Sequence, residues 1–155
     1  ILLVDTEGKQ IGSRSTFPFT KLSSQERVHW VVSWLGSIPR DMLISKKLYL
    51  EVGGIRQGQN LYEDWEFYIR LAASYAKWIH SGVEGIAYRQ TGHSLSRVSH
   101  NKHYQKQLEV LWSNRQLIEK QIGSLNFWRT IGSRAIGTSQ IGRLGRKLYL
   151  AARQK

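Results

Sequence analysis

Two adjacent carboxylates, Glu63 and Asp64, are the strongest candidates in this chain for a chemical role. They follow a glycine-rich segment and begin "EDWEFYIRLA", a stretch with the periodicity of an amphipathic helix. Acids in a first helical turn interact favourably with the positive end of the helix dipole, typically by about 0.3–1 kcal/mol. A carboxylate held in place can also take a proton from a hydroxyl group as a general base. The residue pattern alone favours the helix start, and both interpretations stay open at this point.

A second group of polar residues follows the predicted strand "GIAYR". Cations and hydroxyl donors placed together can bind an anionic group such as a phosphate, whereas a single His in a polar loop is usually a surface residue. The group offers both kinds of donor in one strand and loop: Tyr88, Arg89, His93, Ser94 and Ser96.

The glycines before the two carboxylates also allow two interpretations. Gly53 and Gly54 predict the end of a short helix, and Gly58 predicts a loop. The missing side chains would equally let the backbone approach a bound ligand. Arg70 stands four residues after Glu66, and this spacing predicts an ordinary ion pair on one helix face.

The composition is that of one folded domain. The chain has 155 residues, of which 41% are hydrophobic and 11% aromatic. It contains no Cys, which excludes disulfides, thiolate nucleophiles and Cys-based zinc sites and suits a reducing compartment. No apolar run approaches the roughly 18 residues typical of a membrane span.

The positive charge is concentrated at the C-terminal end. The formal net charge is +12, and residues 125–155 carry seven Arg and Lys with no acid. With Phe127, Trp128 and several Leu among these cations, residues 125–155 are predicted to form a basic helical tail that can lie on an anionic membrane.

The elements that would position these residues alternate between strands and helices. Strands are predicted at 1–5, 41–45, 77–80 and 85–89, with a polar turn at 6–12. Helices are predicted at 23–36, with Ser23 or Ser24 as the cap, at 46–52 after a Ser45 cap, and at 63–76. Residues 99–124 predict one long amphipathic helix, because an apolar stripe repeats at helical spacing: Tyr104, Leu108, Leu111, Ile118 and Ile122. This mixture favours an α/β protein.

The segment "SKKLYLEVGGIRQGQNLYEDWEFYIRLA", followed by "GIAYRQTGHSLS", resembles the second half of family 2 nucleotide-sugar glycosyltransferases of the GT-A fold. The resemblance covers roughly residues 38–96 and extends more loosely over 1–38. It implies that residues 1–98 form the acceptor-side half of a GT-A domain, the C-terminal part of a mixed sheet with flanking helices.

The resemblance also implies roles for individual residues. Asp64 is expected to be the catalytic base, with Glu63 in support, and Trp65 and Arg40 are expected to contact the acceptor. The donor diphosphate is expected to lie against Arg89, His93, Ser94, Ser96, Gly54 and Gly58. Trp30, Trp34 and Trp65 could together form a sugar-stacking platform, although core packing is the simpler use for at least two of them.

A divalent metal, Mn or Mg, is expected in the full-length enzyme. His93 is a candidate metal ligand, because some GT-A enzymes use a His in this region. The family's Asp-x-Asp metal motif is absent from this chain, whose only Asp residues are Asp5, Asp41 and Asp64. We therefore expect an upstream half to be missing and this chain alone to be inactive.

The function implied is transfer of a sugar, with inversion, from a nucleotide-diphosphate sugar to an acceptor hydroxyl. The acceptor would be a carbohydrate or lipid-linked molecule in polysaccharide, lipopolysaccharide or glycoconjugate synthesis. The enzyme would lie in the cytoplasm, or peripherally at the inner face of the membrane. The alternative is a non-enzymatic basic α/β module that binds nucleic acid or anionic membrane. No ribonucleoprotein, KH or helix-turn-helix signature is present, so a nucleic-acid partner is not expected.

Overall fold

The computed structural model describes residues 2–13, 19–33, 42–58, 61–79, 87–89 and 100–138. Within these residues the protein is mixed α/β, with one three-stranded sheet and six helices. The strands are β1 (Leu2–Val4), β2 (Gln10–Ser13) and β3 (Ala87–Arg89). The helices are α1 (Ser24–Ser33), α2 (Lys46–Glu51), α3 (Glu63–Ala73), α4 (His100–Ser113), α5 (Arg115–Ile122) and α6 (Ser124–Thr138).

The sheet has β1 at its centre. Strand β2 pairs antiparallel with β1, placing Leu3 opposite Gly12, and β3 pairs parallel with β1, placing Leu3 opposite Tyr88. The turn between β1 and β2 is closed by Asp5, whose Oδ1 accepts hydrogen bonds from the backbone N–H groups of Glu7 and Lys9 at 3.1 and 2.8 Å.

The strand predictions are confirmed only in part. Residues 2–4 and 87–89 are strands as expected, but residues 10–12, predicted as part of a turn, belong to β2. The predicted strands at 41–45 and 77–80 are wrong for their described residues, 42–45 and 77–79. Leu43 and Ile79 are both exposed, so the apolar residues of these segments do not reflect burial in a sheet.

The helices pack around one hydrophobic core. Helix α1 packs against α3 and α5, and α6 packs against α4 and α5. A hydrogen bond joins α1 and α3: the indole N–H of Trp65 on α3 donates to the carbonyl of Val31 on α1 at 2.8 Å. The largest completely buried side chains come from these helices: Trp65, Phe127, Ile69, Leu71, Leu111 and Ile118.

The predicted starts of α1 and α2 are confirmed. Ser23 and Glu26 form a reciprocal capping box. The Ser23 hydroxyl accepts from the Glu26 N–H at 3.2 Å, and the Ser23 N–H donates to the Glu26 carboxylate at 2.8 Å. The backbone and side-chain hydrogen bonds from Ser23 lower the pKa of Glu26. Ser45 caps α2 by accepting from the Leu48 N–H at 3.2 Å.

The prediction of a single long helix over 99–124 is wrong, because the helix is interrupted at Asn114, which separates α4 from α5. Asn114 has φ −108° and ψ 13°, outside the helical range. Its side-chain amide donates to the Val110 carbonyl at 2.9 Å, a local bond of the kind that competes with the helix ladder. The apolar stripe is nevertheless buried on both sides of the break, at Leu111 and Ile118.

The basic tail predicted for 125–155 is helical at its start, but that start is part of the core. Helix α6 begins at Ser124 and extends to Thr138, and Phe127 is completely buried within it. Phe127 therefore has no surface to place on a membrane, and the prediction is wrong for this residue. Residues 139–155 lie outside the described residues.

Candidate active site at the start of a buried helix

The start of α3 carries the two candidate carboxylates. Glu63 and Asp64 are the first two residues of the helix, and both are partly exposed. The Oδ1 atom of Asp64 accepts a hydrogen bond from the Trp65 N–H at 2.7 Å. Tyr62 precedes them as the N-cap in the left-handed conformation, with φ 66°. A residue with a side chain rarely adopts this conformation, and such residues are enriched at functional sites.

A network of hydrogen bonds holds the side-chain hydroxyl of Tyr62. Its hydroxyl lies 2.7 Å from Nδ1 of His103 on α4, and the side-chain amide of Gln107 donates to the same hydroxyl at 2.8 Å. Gln107 in turn accepts from Arg134 of α6 at 2.8 Å. The Arg134 guanidinium lies 5.0 Å above the ring of Trp65. The network therefore connects the start of α3 to both α4 and α6.

Burial of Arg134 lowers the pKa of its guanidinium to about 10, and the Coulombic interaction with Tyr62 opposes this change. No sequence pattern indicates this network. Tyr62 and His103 are 41 residues apart, so no local spacing predicts their contact.

A buried ion pair lies one turn further along α3. The Glu66 carboxylate is completely buried and accepts two hydrogen bonds from Arg70, at 2.9 Å from Nε and 2.7 Å from Nη2. Arg56 adds a second cation at 3.2 Å. The predicted pair between Glu66 and Arg70 is therefore confirmed. Arg70 also donates to the backbone carbonyls of Val52 and Gly54, so it attaches the glycine segment to α3.

The glycines have local structural reasons for their positions. Gly53 and Gly54 end α2 with φ values of 83° and 56°, which confirms the predicted helix end. A Cβ atom on Gly54 would approach the ring of Tyr49 to 2.9 Å. Gly58 has φ 83° and no atom within 4 Å of such a Cβ. Contact of Gly54 and Gly58 with a donor stays a prediction.

The remaining predicted site residues fall into three groups. Trp65 has no exposed surface, so the prediction that it contacts an acceptor is wrong and its ring belongs to the core. Arg89 is exposed at the end of β3, beside Val4 of the central strand. The others, Arg40, His93, Ser94 and Ser96, lie outside the described residues.

One open cleft lies beside Trp30, another residue considered for sugar stacking. It has a volume of about 390 Å³ and lies between α1 and the junction of α5 with α6. Trp30, Leu22 and Ile122 supply apolar walls, and Gln25 and His29 are among its polar residues. The lining combines an aromatic ring with polar side chains, as sugar-stacking surfaces do, and stacking of a sugar on Trp30 stays a prediction.

No metal site is found in the part of the chain that the structure describes: no three His, Asp or Glu side chains there are grouped to hold an ion. The described residues therefore do not by themselves fit the divalent metal that the resemblance implies. Across these same residues, no helix combines the length and the apolar character needed to cross a membrane.

Comparison with known protein families finds no matching family model, and comparisons with curated proteins and with solved structures find no match either.

Proposed function

We propose that this chain provides the acceptor-side half of an inverting glycosyltransferase that uses a nucleotide-diphosphate sugar, with Asp64 as the general base. The observation that carries the proposal is the position of Asp64 at the start of α3, which contacts with two other segments hold in place. The buried pair of Glu66 and Arg70 attaches α3 to the glycine segment, and Tyr62 attaches it to α4. A catalytic carboxylate needs such preorganisation, because a displacement of about 1 Å can cost about 100-fold in rate.

In the proposed reaction an acceptor hydroxyl attacks the anomeric carbon from the face opposite the leaving nucleotide diphosphate. The new C–O bond forms as the bond to the diphosphate oxygen breaks, and the hydroxyl proton moves to the Asp64 carboxylate. Asp64 lies in the first turn of α3, where the positive end of the helix dipole interacts favourably with negative charge. Glu63 is the neighbouring carboxylate and has a supporting role beside Asp64.

The donor side of the reaction is proposed to use the cluster after β3. Arg89, His93, Ser94 and Ser96 would bind the diphosphate, with Gly54 and Gly58 near the sugar. The divalent Mn or Mg ion and the nucleotide base would be held mainly by an upstream half. The biological setting proposed is synthesis of a cell-envelope polysaccharide or glycoconjugate, with a carbohydrate or lipid-linked acceptor.

A longer protein that carries this chain together with a donor-binding half tests the proposal. A panel of nucleotide sugars is incubated with it, nucleoside diphosphate release is measured, and the anomeric configuration of the product is read by NMR. We expect release with inversion of configuration. The alternative, a non-enzymatic binding module, predicts no transfer from any donor.

A second measurement uses the 155-residue chain alone. Calorimetry with uridine and guanosine diphosphates in the presence of manganese should show weak binding or none, because most donor contacts would belong to the upstream half. Binding in the micromolar range would contradict this division between the halves.

A further inference from the structure

A basic cleft opens between the loop after α2, helix α3 and the break between α4 and α5. Its volume is about 480 Å³, and its lining includes Arg56, Arg70, Trp112, Arg115 and Gln116. Arg70 is largely buried and engaged with Glu66, but the side chains of Arg56 and Arg115 are 49% and 39% exposed. The accessible charge of the cleft therefore comes from Arg56 and Arg115.

An aromatic patch, formed by Trp112, Leu125 and Trp128, adjoins this cleft. The three side chains are 56%, 65% and 47% exposed. The Trp112 and Trp128 rings contact each other edge to face at 6.1 Å, and Leu125 lies three residues before Trp128 on α6. The Arg115 guanidinium lies 5.2 Å from the Trp112 ring and 5.4 Å from the Trp128 ring. Trp112 thus belongs to both the cleft and the patch, and Arg115 of the cleft contacts both Trp rings of the patch.

The charges around the aromatic patch have one sign in excess. Arg56 and Arg70 share one carboxylate, Glu66, and Arg115 pairs with Glu119 at 3.1 Å. After Glu119 the described residues through 138 contain three cations and no acid, and two of these cations, Lys120 and Arg129, are exposed. The patch therefore places exposed apolar side chains beside more cations than carboxylates, and this combination complements an anionic surface.

We propose that the aromatic patch and the basic cleft together dock on the anionic face of a lipid bilayer. Trp suits the bilayer interface because its ring is apolar and its N–H is polar. Arg suits the adjoining layer because its guanidinium pairs with lipid phosphate. This docking surface shares Leu125 and Trp128 with the tail predicted from the sequence, but it adds Trp112 of α4 and the basic cleft and excludes Phe127, which is buried. The proposal stands whether or not the chain takes part in glycosyl transfer.

Vesicle sedimentation with the 155-residue chain tests the proposal. One set of vesicles is pure phosphatidylcholine, and in the other a third of the lipid is phosphatidylglycerol. We expect binding to the anionic vesicles only, weakened by added salt. The double variant Trp112→Ala/Trp128→Ala should bind at least about tenfold more weakly, since two exposed rings no longer enter the interface. Arg56→Gln should bind about fivefold more weakly, because one cation is lost.

Tyr75→Ala is the matched control, because Tyr75 is 96% exposed and belongs neither to the patch nor to the cleft. It should bind like the unaltered chain. If the double Trp variant does not fold, Leu125→Gln replaces it, since this side chain is 65% exposed and its loss leaves the core intact. It should also weaken binding to the anionic vesicles.

Three results would overturn the proposal. One is equal binding to both vesicle types or binding to neither. Another is anionic binding that the Trp, Leu125 and Arg56 variants leave unchanged, which would place the contact elsewhere on the chain. The third is a dimer in solution that Leu125→Gln dissociates, which would assign the patch to a second copy of the chain.

Discussion

Arg70 meets the Glu66 carboxylate with two parallel hydrogen bonds, and that carboxylate has no exposed surface. The same guanidinium donates to the carbonyls of Val52 and Gly54 at the end of α2. One side chain therefore holds together the helix that carries the candidate base and the glycine segment before it. Helix α3 and the glycine segment both depend on this buried pair of Glu66 and Arg70. The stability of the fold is therefore strongly sensitive to the loss of either partner.

Glu66→Gln is expected to lower the free energy of unfolding by about 3–5 kcal/mol, because it leaves the Arg70 guanidinium buried without its partner charge. The matched control is Glu51→Gln. Glu51 pairs with Lys47 at 3.9 Å on the surface, with both side chains mostly exposed. That change should cost less than about 1 kcal/mol. Urea unfolding of the two variants measures the difference, and equal losses would contradict the structural role given to Glu66.

Gly54→Ala should destabilise the protein more than Gly58→Ala. Both positions have positive φ, so an added methyl group costs about 1–2 kcal/mol at each. At Gly54 the new Cβ would also meet the Tyr49 ring at 2.9 Å, whereas at Gly58 it would meet no atom within 4 Å. Melting temperatures of the two variants, measured side by side, test this. A larger loss at Gly58 would show that the Tyr49 contact does not constrain the loop.

Tyr62→Phe should lower the free energy of unfolding by about 1–3 kcal/mol. The ring stays in place, but the hydroxyl that meets His103 and Gln107 is removed, and a partly buried amide loses its acceptor. Tyr75→Phe is the control, because Tyr75 is almost fully exposed. Urea unfolding of both variants gives the comparison. If the two changes cost the same, the network does not stabilise the start of α3.

The helix caps and the ion pair that the sequence predicts correctly depend on neighbours within a few residues. The Ser23 cap of α1, the Ser45 cap of α2 and the pair of Glu66 with Arg70 all follow from spacings of three or four residues. Each is decided by local geometry, so the pattern of residue types is sufficient to predict it.

The features that the sequence did not predict depend on contacts between distant segments. The strand β2 forms because β1 lies beside it, although three of its four residues are exposed. The burial of Phe127 depends on how α6 packs on α4 and α5, and periodicity within α6 does not determine this packing. The contact of Tyr62 with His103 likewise depends on the docking of α4. Tertiary packing of this kind routinely overrides the local signal.

Asp64 is proposed to take the proton of the acceptor hydroxyl. The variants Asp64→Asn and Glu63→Gln test this role in a protein that carries this chain with its donor-binding half. Turnover, donor affinity and melting temperature are measured for both. Asp64→Asn is expected to lower turnover by about 10²–10⁴-fold with donor affinity nearly unchanged, because general-base assistance acts only in the transition state. Glu63→Gln should have a milder effect.

If Asp64 only stabilises the helix start, we expect the opposite result. Asp64→Asn would then lower the free energy of unfolding by a few tenths of a kcal/mol and leave turnover almost intact. The ratio of turnover in Asp64→Asn to that of the unaltered enzyme is therefore the most direct measurement. A ratio of about 0.01 or less agrees with a general base. A ratio above about one third, far from the loss expected for a general base, would contradict the assignment.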